Sequence, residues 1–313
     1  MPIGVAVLVG ALRVVPREAG LGLGEGMDVS GAVLITAGLS LGVYAIVDGV
    51  LWSGVAAVLL VAAFLVRQRY ARSPLVPLAV LGRRWLLGTG ATVVLIFATG
   101  MGFQFLLALF VQRVMGYDAL GTGLAFLPTP VVIGVVSLFV APRVTGRFGP
   151  RRVLIAGLAT LLAGLLLLAR MPVHVSYVAD LLTPLVVMGL GVGVTVPSII
   201  MLAMAGAAPA DTGMVSGFSN TAQQAGGALG LSVLAVVAAA HTSSRTADGV
   251  SAMAALHDGY LRAFLVAAGF VLTALLITAV LLRRPPVGGE AEVAPAPLPA
   301  SVGEPQVACG SAS

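Results

Sequence analysis

The chain has no lysine and one cysteine, and charged residues make up only 9% of its 313 positions. Each shortage excludes something. With Cys309 alone, neither an intrachain disulfide nor a cysteine cluster for metal can form. A water-soluble surface is out of reach too, because soluble domains carry about 25% charged residues. The three histidines, His174, His241 and His257, are too scattered to read as a metal site, and all three fall in expected loops. There is no nucleophile motif, no glycine-rich phosphate loop and no carboxylate pair within an apolar run. The sequence therefore offers no enzyme reading and calls for no cofactor. All seventeen basic residues are arginine, which reads as coding bias rather than chemistry.

What is present is apolar. Hydrophobic residues are 59% of the chain, and its mean hydropathy is +1.08. The net charge of +5 could suggest nucleic acid, but the arginines sit in turns between apolar runs and form no basic face. Membrane topology explains them better, and no nucleic-acid partner is expected.

A helix needs about 20 residues to cross a hydrocarbon layer roughly 30 Å thick. By that measure complete spans run near Val29–Val47, Trp52–Val66, Leu86–Val111, Gly121–Ala141, Val153–Ala169, Leu181–Met204, Gly213–Ala240 and Ala263–Leu282. Pro2–Leu12 is apolar but short, and it reads as the end of a span whose beginning is missing. Met1 is followed by no basic region of the kind that opens a secretory leader. The expected organisation is a partial span in 1–15, two central spans with their loops in 16–85, six spans in 86–284 and a disordered tail in 285–313. That tail is rich in Pro, Ala, Gly and Glu, with too little apolar surface to fold.

Threading the spans alternately puts thirteen arginines on one side and Arg113, Arg170, Arg245 and Arg262 on the other. Cytoplasmic turns carry the excess of basic residues, so this asymmetry predicts a multi-pass protein of the cell (inner) membrane with a cytoplasmic C-terminus. The densest basic stretch is Phe139–Arg152, expected to be a short loop clamped between two spans. In it Gly149 permits a tight turn and Pro150 suits the first turn of the next helix. Arg143, Arg147, Arg151 and Arg152 serve either as a topology signal or as a mechanical anchor.

No Asp, Glu, His or Arg lies deep in a complete span, so no intramembrane proton carrier is visible. The notable polar group inside a span is Ser216, Ser219, Asn220, Thr221, Gln223 and Gln224. On a helix Ser216, Asn220, Gln223 and Gly227 share one face. Two readings stand for it: a substrate-facing wall, or hydrogen bonding between helices that only holds the bundle. Gln104 carries the same pair of readings. Gly226 with Gly230 and Gly189 with Gly193 form GxxxG pairs that predict close helix packing. Pro128, Pro130, Pro184 and Pro197 are expected to interrupt their helices.

Several segments together resemble the fourteen-span drug:proton antiporters of the major facilitator superfamily. Pro2-Ile3-Gly4, Asp28-x-x-Gly31 with Thr36-Ala37-Gly38, and Ser73-Pro74-Leu75-Val76-Pro77-Leu78 look like the approaches to that family's sixth, seventh and ninth spans. Gln112, Gly116-Tyr117, Gly123 and Pro128 are similar to its ninth-to-tenth pattern. Gly189-x-Gly191-x-Gly193 with Pro197 resembles its twelfth span, and Ser216-Gly217, Asn220-Thr221, Gln224-x-Gly226-Gly227 and Gly230 its thirteenth. In the arginine loop the chain departs from the family, with Gly146 where aspartate is usual and Pro142 where glycine is usual. Gln223 stands where many members have arginine.

The resemblance implies an all-α polytopic membrane protein: the C-terminal six-helix half of a major facilitator fold, two central spans and a partial preceding span. It implies a proton-coupled exporter of lipophilic small molecules, surrounded by membrane lipids. It also implies that five spans carrying the proton-binding acid are missing or separately encoded. The alternative is a non-transporting membrane fragment, or a subunit that needs a separate N-terminal half.

Overall fold

The structure, a computed structural model, describes Gly10 and residues 28–70, 84–172, 175–205 and 212–282. The expected partial span, the Ser73–Leu78 segment, His174 and the tail lie outside the described residues.

Every described element is helical. Hydrocarbon offers no partner to a backbone N–H or C=O, so a spanning segment must bond to itself. The elements are α1 (Val29–Asp48), α2 (Leu51–Tyr70), α3 (Arg84–Arg113), α4 (Ala119–Phe126), α5 (Pro128–Val135) and α6 (Ala141–Phe148). They continue as α7 (Pro150–Leu168), α8 (Thr183–Ala205), α9 (Thr212–Ala247) and α10 (Ala252–Leu281). Short π-helical stretches, Val136–Val140 and Tyr177–Leu182, join α5 to α6 and lead into α8. Counting α4–α6 as one broken rod and the second π stretch with α8, eight helices among the described residues are long and apolar enough to cross a membrane. The all-α, multi-span class expected from composition is what the chain adopts.

Two boundaries differ from expectation in an instructive way. The stretch Phe139–Arg152 is not a loop: helix continues through α6 to Phe148, and only Gly149, at φ 80°, turns the chain. Arginine is a good helix former, so a polar composition marked the water boundary rather than the end of the helix. At the other end α10 starts at Ala252, where Ser251 caps it by accepting the Ala254 N–H at 3.4 Å. The apolar ruler began that span at Ala263. Thirty residues rise about 45 Å, well beyond the roughly 30 Å hydrocarbon, so the first turns of α10 stand outside it. His257 is therefore on a helix and buried, not in a loop.

The bundle is built on α10, which packs on α3, α7 and α9, while α7 also packs on α8, α3 on α9, and α5 on α8. Leu107, Phe110, Leu154, Leu158, Leu165, Leu185 and Phe264 form its fully buried core. Large apolar side chains such as Leu120, Leu138 and Leu276 point outward, as a surface solvated by lipid tails requires.

The α1–α2 hairpin leans on the bundle through α1 and α9. Asp28 ties its open end together. Its carboxylate accepts from Gly31 N–H at 2.9 Å, from Arg67 Nε at 2.8 Å and from Gln68 Nε2 at 3.2 Å. The Gly31 N–H, followed by the Arg67 guanidinium, holds the Asp28 carboxyl below its ordinary range.

Candidate functional site

The polar group of α9 lies beside a very close helix contact. A Cβ at Gly226 would fall 2.5 Å from the Val94 carbonyl oxygen, and one at Gly230 only 2.3 Å from the Cα of Ala98. From the other side, Gly102 of α3 meets the Gly230 carbonyl and Leu231. Glycines on both helices thus bring α3 and α9 into backbone contact along this seam.

Asn220, Ser216 and Gln224 are exposed on α9, and Gln223 is half-buried. Met101 of α3, itself exposed, lies over Gly227. Gln104, also exposed, is one turn further along α3, and Gln223 and Gln224 are one turn back along α9. One turn rises about 5.4 Å, so Gln104 and Gln224 sit roughly 10 Å apart along the seam. Among the described residues, none of these side chains hydrogen-bonds to another helix. Beside them, Thr221 donates to the Gly217 carbonyl at 3.0 Å on its own helix. A narrow crevice beside the seam is lined by Thr89, Gly90, Val93, Ala203, Phe218, Ser219 and Ala222. The structure thus brings Gln104 and the α9 amides onto one open face, with nothing in the described chain to satisfy them.

The glycines of α8 divide their work. Gly189 and Gly193 face Val132 and Val136 of the broken rod, while Gly191 faces Leu161 and the Gly157 carbonyl of α7. Ser137 adds a hydrogen bond across the same contact, donating to the Gly193 carbonyl at 2.9 Å. Pro128 opens α5 directly after the Leu127 turn, and Pro130 is exposed two residues on. Pro197 stands inside α8 without ending it. Pro184 stands second in α8, directly after the π stretch.

The four arginines around Gly149 have distinct surroundings. Arg143 donates to the Phe139 carbonyl one turn back. Arg147 lies over the Phe148 ring, 5.5 Å from its centroid. Arg152 is exposed. Arg151 reaches across to α10, where its Nη2 donates to the Ala279 carbonyl at 3.0 Å. That carbonyl lies in the last turn of α10, where the helix dipole favours a cation. Sequence reasoning could not separate Arg151 from its neighbours, because its partner is 128 positions away. Nor could it find the Asp28–Arg67–Gln68 cluster: Asp28 was legible as a helix opener, but Arg67 looked only like a topology charge. Among the described residues no group of three His, Cys, Asp or Glu gathers as metal ligands.

This architecture is a glycine-packed bundle of helices long and apolar enough to cross a membrane, with an open polar face. The Major Facilitator Superfamily model matches residues 1–231, and the chain belongs to that superfamily. It is 32% identical over 290 residues to the puromycin resistance protein pur8 of Streptomyces alboniger, covering 90% of this chain and 58% of that one. It is 33% identical over 311 residues to the cephamycin export protein CmcT of Amycolatopsis lactamdurans, covering 94% and 62%. A third relative, the uncharacterized MFS-type transporter EfpA of Mycobacterium tuberculosis, is 32% identical over 69% of this chain and 42% of its own length. The chain therefore spans about six-tenths of the length of the first two relatives.

Proposed function

We propose that the chain is the later part of a fourteen-span, proton-driven exporter of lipophilic small molecules, with the α3–α9 seam as one wall of the substrate route. One observation carries this reading: Gln104, Asn220 and Gln224 are exposed along one seam, and among the described residues none of them hydrogen-bonds to another helix. An unpaired amide facing lipid tails is costly, whereas a wet cavity or a polar substrate satisfies it. The names of two relatives, a puromycin resistance protein and a cephamycin export protein, suggest antibiotic-like cargo. In this reading the arginine end is cytoplasmic, and five earlier spans supply the opposite wall and the proton-binding acid. Each described carboxylate within a span lies within about two turns of that span's end, so the proton site of this reading lies outside these eight spans.

Two experiments test it. Reconstituted alone in vesicles with an imposed pH gradient, the chain is expected to drive no dye efflux, and clear gradient-driven efflux would overturn the division of labour. In the exporter completed with its N-terminal half, Asn220→Ala with Gln224→Ala is expected to cut efflux without lowering the melting temperature. Unchanged efflux would remove the seam from the substrate route. An antibody to residues 291–306 reports the native polypeptide's size, and a product of 31.5 kDa would favour a subunit that pairs with a separate chain.

A further inference from the structure

Pro197 stands inside α8, and its ring carries no N–H. The carbonyl four residues back, that of Gly193 near the middle of the span, therefore lacks its usual helical donor. Hydrocarbon supplies no substitute, so a proline at this depth needs a donor from a neighbouring helix or a nearby hydroxyl. The hydroxyl of Ser198, next along α8, is committed elsewhere, donating to the Val194 carbonyl at 2.7 Å. The donor comes from the broken rod instead. Ser137 Oγ reaches the Gly193 carbonyl at 2.9 Å, across 56 positions of sequence.

Two local features accompany that reach. Ser137 lies in the π-helical stretch Val136–Val140, which Ala141 N–H closes by bonding back to the Val136 carbonyl. Gly193 removes the side chain that would hold the rod away, since an added Cβ would fall 2.8 Å from both Cβ and Cγ1 of Val136. The bend of α8 at Pro197 matters beyond this contact. Ala203, six residues further on, lines the crevice beside the α3–α9 seam together with Gly90 and Phe218. The segment 198–205 rises about 12 Å, so a change of about 10° in the bend moves its end by about 2 Å.

We propose that Ser137 is a positioning residue for the transport route. Its hydroxyl takes the place of the N–H that Pro197 lacks, and this one bond sets the bend of α8 and with it the place of Ala203 at the crevice. Without it the Gly193 carbonyl is left bare in hydrocarbon, and the bend is no longer set. The role in transport rests on the reading of the α3–α9 seam given above. Control of the bend rests on the two helices alone.

The test uses the whole chain in nanodiscs, in a Cys309→Ser background, with spin labels on Leu87→Cys and Met201→Cys. Both positions are exposed, and they lie two residues from Thr89 and Ala203 of the crevice. Ser137→Ala is expected to move the distance between the labels by about 2 Å or to widen its distribution. Ser137→Thr keeps the hydroxyl and should leave it native. In Pro197→Ala, residue 197 supplies its own N–H, so adding Ser137→Ala should change neither the distance nor the melting temperature further. An unmoved distance in Ser137→Ala, or an equal fall in melting temperature in both backgrounds, overturns the proposal. Should Pro197→Ala fail to fold, the distance in Ser137→Ala and its recovery in Ser137→Thr still decide. In the exporter completed with its N-terminal half, Ser137→Ala should lower kcat for efflux about 2- to 10-fold at unchanged KM, the effect of losing one hydrogen bond. An unchanged kcat overturns the positioning role. A silent Asn220→Ala, Gln224→Ala pair removes the seam from the route without touching the distance readout, so the two failures are told apart.

Discussion

The α3–α9 seam predicts opposite outcomes for one substitution at two glycines of the same helix. At Gly230 an added Cβ would lie 2.3 Å from both the Cα and the carbonyl oxygen of Ala98 and 2.4 Å from its Cβ. Comfortable carbon–carbon separation is about 3.5–4.0 Å, so the helices must part by more than 1 Å. Two of the three obstructing atoms are backbone, which cannot swing aside as a side chain would. Overpacking of this kind costs about 1–3 kcal/mol. Alanine recovers roughly 0.5–1 kcal/mol of that through its better helix propensity, and the balance is a net loss. At Gly217 nothing lies within 4 Å of the added methyl, so only the gain remains. Gly230→Ala should therefore lower the melting temperature in detergent, and Gly217→Ala should leave it unchanged or raise it. Equal effects at the two positions would refute the close approach of α3 and α9. Gly230→Leu should fail to assemble.

Two further outcomes follow from the ends of the helices. Arg151→Gln should destabilise the bundle by about 1–3 kcal/mol, the worth of a hydrogen bond from a charged donor, measured by thermal melting. Arg152→Gln, at an exposed neighbour, should stay within about 0.5 kcal/mol of the native chain. Asp28→Asn should lower stability at neutral pH, where the carboxylate is ionised and held by Gly31 and Arg67. Because the folded carboxyl lies below its ordinary value of 3.8, the gap between native and variant should hold above that pH and close as pH falls through the folded value. A gap unchanged into strong acid would refute the ion pair.

Among the described residues, the sequence by itself determined how many helices are long and apolar enough to cross a membrane and roughly where they lie. In hydrocarbon the backbone must bond within its own helix, so a run of apolar residues dictates both the element and its approximate length. Among the described residues, eight apolar runs became eight helices of spanning length for that reason. It also pointed to the residues allowing close contact, since Gly226 and Gly230 announce themselves by spacing alone. Helix ends were less legible, because hydropathy tracks the water boundary while helices run on past it. Thus Phe139–Arg152 looked like a loop and His257 looked exposed.

What only the tertiary structure decided is which group meets which. The GxGxG of α8 is one local pattern, yet its glycines serve two different neighbours, the broken rod and α7. Four arginines near Gly149 are chemically alike, but only Arg151 reaches the last turn of α10. The carboxylate of Asp28 finds Arg67 across 39 positions, and the imidazole of His257 finds Pro172 across 85. The partner sets the worth of each group, and these partners sit on segments far apart in the chain. Hydropathy is a property of a segment, whereas a partner is a property of the packed bundle.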